Sequence, residues 1–335
     1  MADNELSQAH STTPHVRVTH GARSDVGCRR KLNEDSYIAR FPLYLVADGM
    51  GGHSGGNIAS AEVIAQMGAH IGSEDFVTQE ELNHALMETT RALSELGMNE
   101  GSPGSTMSGL VFSTHSGIPC IRIFNIGDSR TYALAENEFS QVTVDHSEFQ
   151  ELKDSGALSE KDARDYLHRN VLTKALGAGF SPSIPIDHFV APIADGDRYI
   201  ICSDGVSGEV TDALIEMAAR NIADPQDLAD ELINMALRAG GNDNATVIVV
   251  DAHDVHPLWQ ARGAGDTIRR DDARHQIDEK QADGQDIQES HNAPEVDDAD
   301  DGDDTLPGER VIHLRALAEY ASQFQGSNTP EEEEL

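Results

Sequence analysis

Four aspartates in this chain stand at the ends of short apolar runs, each beside glycine or asparagine. Leu43-Tyr-Leu-Val-Ala runs into Asp48-Gly49 and then Met-Gly-Gly-His53, and Asn125-Ile-Gly leads to Asp128. Tyr199-Ile-Ile-Cys-Ser leads to Asp204-Gly205, and Asp243-Asn244 precedes Ala245–Val250. Short branched runs bounded by Gly or Asp predict β-strands. Carboxylates at the ends of neighbouring strands converge in space. Like charges within roughly 4–6 Å raise one another's pKa, so such a cluster is unfavourable alone and becomes sensible around hard divalent cations. Oxygen-only ligation suits Mg²⁺ or Mn²⁺ better than zinc, and glycine lets the backbone approach an ion closely. A pair of such ions generates a nucleophile from water near neutral pH and holds a phosphoryl group for in-line attack. Phosphate-ester hydrolysis is the chemistry implied. Any single strand-end Asp-Gly is ordinarily just a turn; four of them in order form a pattern.

The elements that must position these residues lie between about Val16 and Asp254. Strands are expected at Ser36–Ile38, Leu43–Ala47, Ser108–Ser113, Cys120–Ile126, Thr131–Leu134, Tyr199–Ser203 and Ala245–Val250. Apolar residues at three- and four-residue intervals predict helices at Ile58–Ile71, Glu80–Leu96, Leu214–Asn221 and Pro225–Ala239. Together they predict a layered sheet-and-helix domain over 16–255, with antiparallel strands. Residues 1–15 are expected to be disordered, as is an acidic linker over 256–308, whose composition buries too little apolar surface to order itself. Within 309–325, Val311, Leu314, Leu317, Ala321 and Phe324 share one helical face, which predicts a short amphipathic helix before an acidic tail at 326–335.

Composition narrows the function classes. The chain has 59 acidic and 24 basic residues and a formal net charge of −35, a field that repels nucleic-acid backbones and anionic membrane. No nucleic-acid partner and no membrane insertion are expected. Cys28, Cys120 and Cys202 show no Cys-x-x-Cys spacing and read as buried thiols in a reducing compartment. The polar start of the chain lacks a signal-peptide pattern, so a cytoplasmic protein is expected. Cys202 is not followed by a basic phosphate loop, and Ser129 and Ser203 lack a base at plausible spacing, so none of them reads as a nucleophile. The acidic run near Gly302 fails as a calcium loop because Gly308 stands where a bidentate Glu is required.

From about Thr19 to Val250 the chain resembles the metal-dependent protein phosphatase family (PPM, or type 2C), in its bacterial branch. The resemblance rests on Arg30-Lys-Leu-Asn-Glu34-Asp35, Asp48-Gly-Met-Gly-Gly-His53, Gly104-Ser-Thr106, Gly127-Asp-Ser-Arg130, Leu172-Thr-Lys-Ala-Leu-Gly177, Ser203-Asp-Gly205 and Asp243-Asn244. It implies an α+β fold, a four-layer α-β-β-α sandwich with a dinuclear metal site between two central antiparallel sheets. It also implies hydrolysis of phosphoserine and phosphothreonine by metal-activated water, with two Mn²⁺ or Mg²⁺ ions and room for a third. By the same resemblance Asp48 bridges the ions and the Gly49 carbonyl is a ligand. Asp204 and Asp243 hold one ion, Glu34 and Asp35 surround the other, Asp128 joins Asp204 at a third, and Arg30 binds phosphate. The segment Val144–Asn170 takes the place of a substrate-shaping flap. Met50 stands where some members carry a histidine that protonates the leaving alcohol, and His53 is the nearest histidine. Phosphorylated proteins are the expected substrates, a Ser/Thr kinase or an anti-sigma antagonist system the expected setting, and a monomer the expected state. A pseudophosphatase is the rival reading, against which the intact Asp48, Asp204 and Asp243 stand.

Overall fold

The computed structural model describes residues 15–51, 55–72, 75–99, 103–115, 118–158, 166, 168, 171–181, 183–256 and 309–311. Its strands form two sheets. The smaller has five strands in the order β1 (His15–Asp25), β12 (Ala245–His256), β11 (Arg198–Cys202), β7 (Arg130–Ala135) and β8 (Glu138–Gln141). The larger runs β13 (Glu309–Val311), β10 (Asp187–Pro192), β6 (Ile118–Ile126), β5 (Met107–His115), β3 (Leu43–Met50), β4 (Gly104–Ser105) and β9 (Leu176–Gly177), with β2 (Asp35–Arg40) also on β3. Pairing between these strands is antiparallel except for β13 on β10.

The central strands show why four layers form. Val247, Ile248, Val249 and Val250 are all fully buried, although successive side chains of a strand point to opposite faces. Ile248 and Val250 join Tyr44, Val46, Leu110 and Ile123 in the apolar layer between the sheets. Val247 and Val249 join Leu228, Leu232 and Ile233 of α6 (Pro225–Ala239), the outer helix beside α5 (Asp212–Asn221). On the large sheet Leu43, Leu45 and Ala47 face outward to Ala59, Val63 and Met67 of α1 (Gly55–His70) and to Leu82 and Leu93 of α2 (Gln79–Asn99). Each fully buried Val, Leu or Ile contributes roughly 1.5–3 kcal/mol, so only strands covered on both faces read as continuous apolar runs. The fold is the expected α+β sandwich.

Local signals set the helix ends. Asp224 caps α6 by accepting from the N–H groups of Gln226 and Asp227, Pro225 opens the helix, and Gly240 follows its end. Five strands of the core escaped the sequence pattern: β1, which pairs with β12 from His15 to Asp25, β10, and the short β4, β8 and β9. Cys120 and Cys202 are buried as expected, whereas Cys28 is exposed. The helix expected from Glu309 is corrected at its first residues, since Glu309–Val311 is a strand parallel to His188–Val190. An edge strand offers unpaired backbone groups, and a β-branched stretch around Val311 suits pairing there. Residues 1–14, 257–308 and 312–335, and with them the expected linker, the rest of the helix and the acidic tail, lie outside the described residues.

Candidate metal centre

The expected carboxylates meet at one end of the two sheets because the strands bearing them all finish or start there. Asp35 opens β2 and lies directly across from Asp48 near the end of β3. Asp204 opens α4 (Asp204–Ser207) just after β11, Asp243 precedes β12, and Asp128 precedes β7. A cleft of about 420 Å³ is lined by Arg30, Glu34, Asp48, Gly49, Met50, Asp128, Asp204 and Asp243, and also by Leu172 and Phe180. A neighbouring hollow shares Asp128, Asp204 and Asp243 and adds Asp145, Ser147 and Phe149.

Backbone positions at the cleft are fixed by small residues. Thr106 Oγ1 accepts from the Asp48 N–H at 3.0 Å and pairs with Ser129 Oγ at 2.8 Å, while Thr106 N–H donates to the Asp48 carbonyl at 2.9 Å. Asn244 gathers the loop that carries Arg30: its Oδ1 accepts from Glu34 N–H and its Nδ2 donates to the carbonyls of Val26 and Leu32. At Gly49 a Cβ would collide with the carbonyls of Gly56 and Glu34, and at Gly205 with that of Asn244, so both Asp-Gly pairs require the bare backbone.

The carboxylates are electrostatically frustrated. Burial, then Asp35, Asp204 and Asp128, hold Asp48 well above the ordinary carboxylate range. Burial, then Asp204 and Asp145, do the same to Asp128, and burial, then Asp243, raise Asp204. Asp48 and Asp204 act on one another, Asp204 raising Asp48 while Asp48 lowers Asp204. Asp35 is pushed up to about 7, chiefly by burial, although Ser203 and Thr246 donate to its Oδ2 at 2.8 and 2.7 Å. Asp35 thus stands behind the cleft wall rather than in it. Oδ1 of Asp35 and Oδ1 of Asp204 are buried with no hydrogen-bond partner.

Two orphaned anionic oxygens in a repelling cluster are what divalent cations would relieve, and the donors are all hard oxygens. Among the described residues no group of three or more His, Cys, Asp or Glu side chains is arranged to hold a metal ion by itself. Arg30 meets the cluster directly, its Nη2 donating to Asp243 Oδ2 at 2.6 Å with the two side chains 50 % and 32 % exposed. An ion pair this exposed contributes about 0–1 kcal/mol, so it yields readily to a stronger competitor for Asp243.

Of the residues expected at the site, Arg30, Glu34, Asp48, Gly49, Asp128, Asp204 and Asp243 all line the cleft and Asp35 adjoins it. Met50 lines it too, and His53 lies outside the described residues. The sequence reading missed the supports: Asn244's loop staple, the Ser203 and Thr246 hydroxyls, and Arg130, which grips Asp145 through Nε and Nη2 at 2.9 and 2.7 Å. Their motif positions were visible, but their partners lie far along the chain.

The two-sheet sandwich brings its carboxylates together at one strand end, an oxygen-rich arrangement suited to divalent cations. No protein-family model matches the chain. It is 36% identical over 251 residues to the serine/threonine protein phosphatase PstP of Mycobacterium tuberculosis, an alignment covering 71% of this chain and 46% of that protein. The chain thus spans about half the length of its mycobacterial relative. It is 31% identical over 242 residues to the serine/threonine phosphatase stp of Listeria innocua, covering 68% of this chain and 94% of that one. The crystal structure of the PstP catalytic domain in complex with two manganese ions superposes with a TM-score of 0.64 at 33% identity, over 72% of this chain and all of the other. The chain belongs to the bacterial serine/threonine protein phosphatases of the metal-dependent, PPM or type 2C, family.

Proposed function

We propose that this protein hydrolyses phosphoserine and phosphothreonine in proteins, with two Mn²⁺ or Mg²⁺ ions at Asp48, Gly49, Asp204 and Asp243, and Glu34 and Asp35 beside them. Asp128 would join Asp204 at a third ion. The observation that carries the reading is the buried, mutually raised carboxylate cluster with an orphaned oxygen on Asp204, next to a guanidinium. The two manganese ions in the PstP catalytic domain support a dinuclear site in a relative of the same fold.

When bound, such ions acidify water and offset charge on phosphoryl oxygens. The chain's own residues do the rest. Arg30, freed from Asp243, presents a planar fork that binds two phosphate oxygens and offsets charge as it develops. Leu172 and Phe180 add apolar surface to the cleft lining. Met50 has no proton to give the leaving alkoxide, which leaves water in the cleft or His53 as the acid. A monomer acting in the cytoplasm against a Ser/Thr kinase, or on an anti-sigma antagonist, is the proposed setting. Among the described residues no helix is long and apolar enough to cross a membrane.

Turnover of a phosphopeptide and of an aryl phosphate tests the reading. Both should stop in excess chelator and return with Mn²⁺. Undiminished turnover in chelator would overturn the mechanism, and a folded protein inert with every divalent cation would make it a pseudophosphatase.

A further inference from the structure

The Gly127–Asp128 turn is held from outside by Asn125, whose Nδ2 donates to the Gly127 carbonyl at 3.3 Å, and on both its N–H and its carbonyl by His146. Gly127 N–H donates to the Nδ1 of His146 at 3.1 Å, and His146 N–H donates back to the Gly127 carbonyl at 2.9 Å. The His146 carbonyl accepts from Thr173 N–H at 2.9 Å, and Ser147 bridges to Leu172. His146 therefore sits at the base of the expected Val144–Asn170 flap, where residues 147 and 172 meet. An Nδ1 that accepts carries no hydrogen, so the ring proton is on Nε2, which lies 3.3 Å from Asp187 Oδ2. The ring is 8 % exposed. Asp128 follows Gly127 directly and lines the cleft, so the position of this turn sets where its side chain starts.

We infer that His146 is a positioning residue: with Asp187 fixing its tautomer, it locks the Gly127–Asp128 turn to the flap base and thereby aims Asp128 into the metal centre. The inference rests on the proposed role of Asp128 at the cations. Outer partners that orient a ligand typically alter metal affinity or activity by about 10–100-fold when removed. Here the lock joins three elements that the sequence separates: the β6–β7 turn, the flap base and the start of β10.

Two substitutions separate the ring's nitrogens. In His146→Asn the amide oxygen falls near the place of Nδ1 and can still accept from Gly127 N–H, while the reach to Asp187 is lost. In His146→Gln the amide lies near the place of Nε2 and Gly127 N–H is left unpaired. Calorimetric titration of the chelator-stripped full chain with Mn²⁺ should show H146Q weakening the weakest resolved binding step by about tenfold or more, and H146N by less than about threefold. The Mn²⁺ concentration giving half-maximal turnover should shift in parallel. H146Q matching the parent, or H146N falling as far as H146Q, would overturn the inference. If H146Q does not fold, Asp187→Leu decides instead: weaker Mn²⁺ binding supports the lock and unchanged binding overturns it. Asp128→Asn serves as the control. Unchanged Mn²⁺ binding and turnover in D128N would reject the role of Asp128 itself, whereas a weakened D128N beside a normal H146Q would reject only the part given to His146.

Discussion

At the end of the sandwich away from the cleft, Arg198 and Asp251 form a buried ion pair in which every group is used. Arg198 donates to both oxygens of Asp251 at 2.6 and 2.7 Å and to the carbonyls of Ala219, Ile222 and Ala223 at and just past the end of α5. At the cleft, Asp48, Asp128 and Asp204 are half-buried and have mainly one another for company, and Asp204 keeps an oxygen with no partner. The hollow beside Arg198, about 790 Å³, is larger than the cleft at about 420 Å³. Size does not locate chemistry in this molecule; unsatisfied charge does. A buried ion with all its bonds made holds the fold together, and one left wanting is held ready for a ligand.

The same chemical change at the two ends should have opposite effects. Asp204→Asn should lower kcat by about a thousandfold or more, roughly 4 kcal/mol of transition-state stabilisation, while its melting temperature in chelator stays level or rises because a repulsion is removed. Asp251→Asn should do the reverse. It strands the Arg198 guanidinium in the interior and should destabilise by about 3–5 kcal/mol, leaving kcat of the folded fraction unchanged. Paired melting curves and kinetics on both variants decide this. If D204N melts well below the parent without metal, the cleft carboxylates are structural after all.

Arg30 sharpens the contrast, because its guanidinium lies beside the cleft cluster and is only loosely committed. Arg30→Ala should raise KM for a phosphopeptide by about tenfold or more, since a guanidinium on phosphate makes charge-assisted bonds. Mn²⁺ affinity should hold or improve, because Asp243 loses a competing partner. A collapse of metal affinity with KM intact would make Arg30 a structural partner of the acidic cluster.

The pH dependence of stability follows from the same frustration. Asp35 ionises near 3.8 when unfolded and at about 7 when folded, so between those values the folded state binds more protons. Its contribution is therefore full below about 3.8 and lost as the pH rises towards 7. Asp48, Asp128 and Asp204 are raised in the same direction. The chelated protein should melt at a lower temperature at pH 7 than at pH 5.5, and saturating Mn²⁺ should shrink or reverse the difference by taking the place of the protons. Melting curves that are flat with pH in chelator would show that the cluster is not strained.

How much of this was legible in the sequence depended on distance along the chain. The strand ends carrying Asp48, Asp204 and Asp243 could be read because strand, turn and carboxylate are contiguous, and α6 matched its expected bounds because cap, proline and terminal glycine are local signals. What the carboxylates touch was not local. Asp35 opposes Asp48 only through strand register and is gripped by Ser203 and Thr246 from the other sheet, 168 and 211 positions away. Arg30 reaches Asp243 across 213 positions. β10 went unread because Asp187-His-Phe-Val-Ala-Pro192 alternates poorly and carries two titratable residues at its start, one of which, Asp187, proves to face His146.

The smallest effect is expected from the tail. From His256 onward the chain has 21 acidic and 7 basic residues, the same sign as the rest, so tail and cleft repel on average. The part of the tail that the structure places, Glu309–Val311, lies on β10 at the outer edge of the large sheet. Three paired residues add little stability beside the entropy of ordering the long segment that joins them to His256. Their position still matters, because the paired stretch begins at His188, next to Asp187, so its loss loosens the strand that faces His146. Ending the chain after residue 256 should therefore change kcat/KM for a small aryl phosphate by less than about tenfold, or 1.4 kcal/mol. Amide hydrogen exchange should speed up at His188–Val190 and nowhere in the cleft's strands. A larger gain in activity, reversed by adding the tail peptide in trans, would make the tail an inhibitor that overcomes the repulsion. A larger loss, with exchange spreading from β10 into β6, would make β13 part of the fold rather than a passenger on its edge.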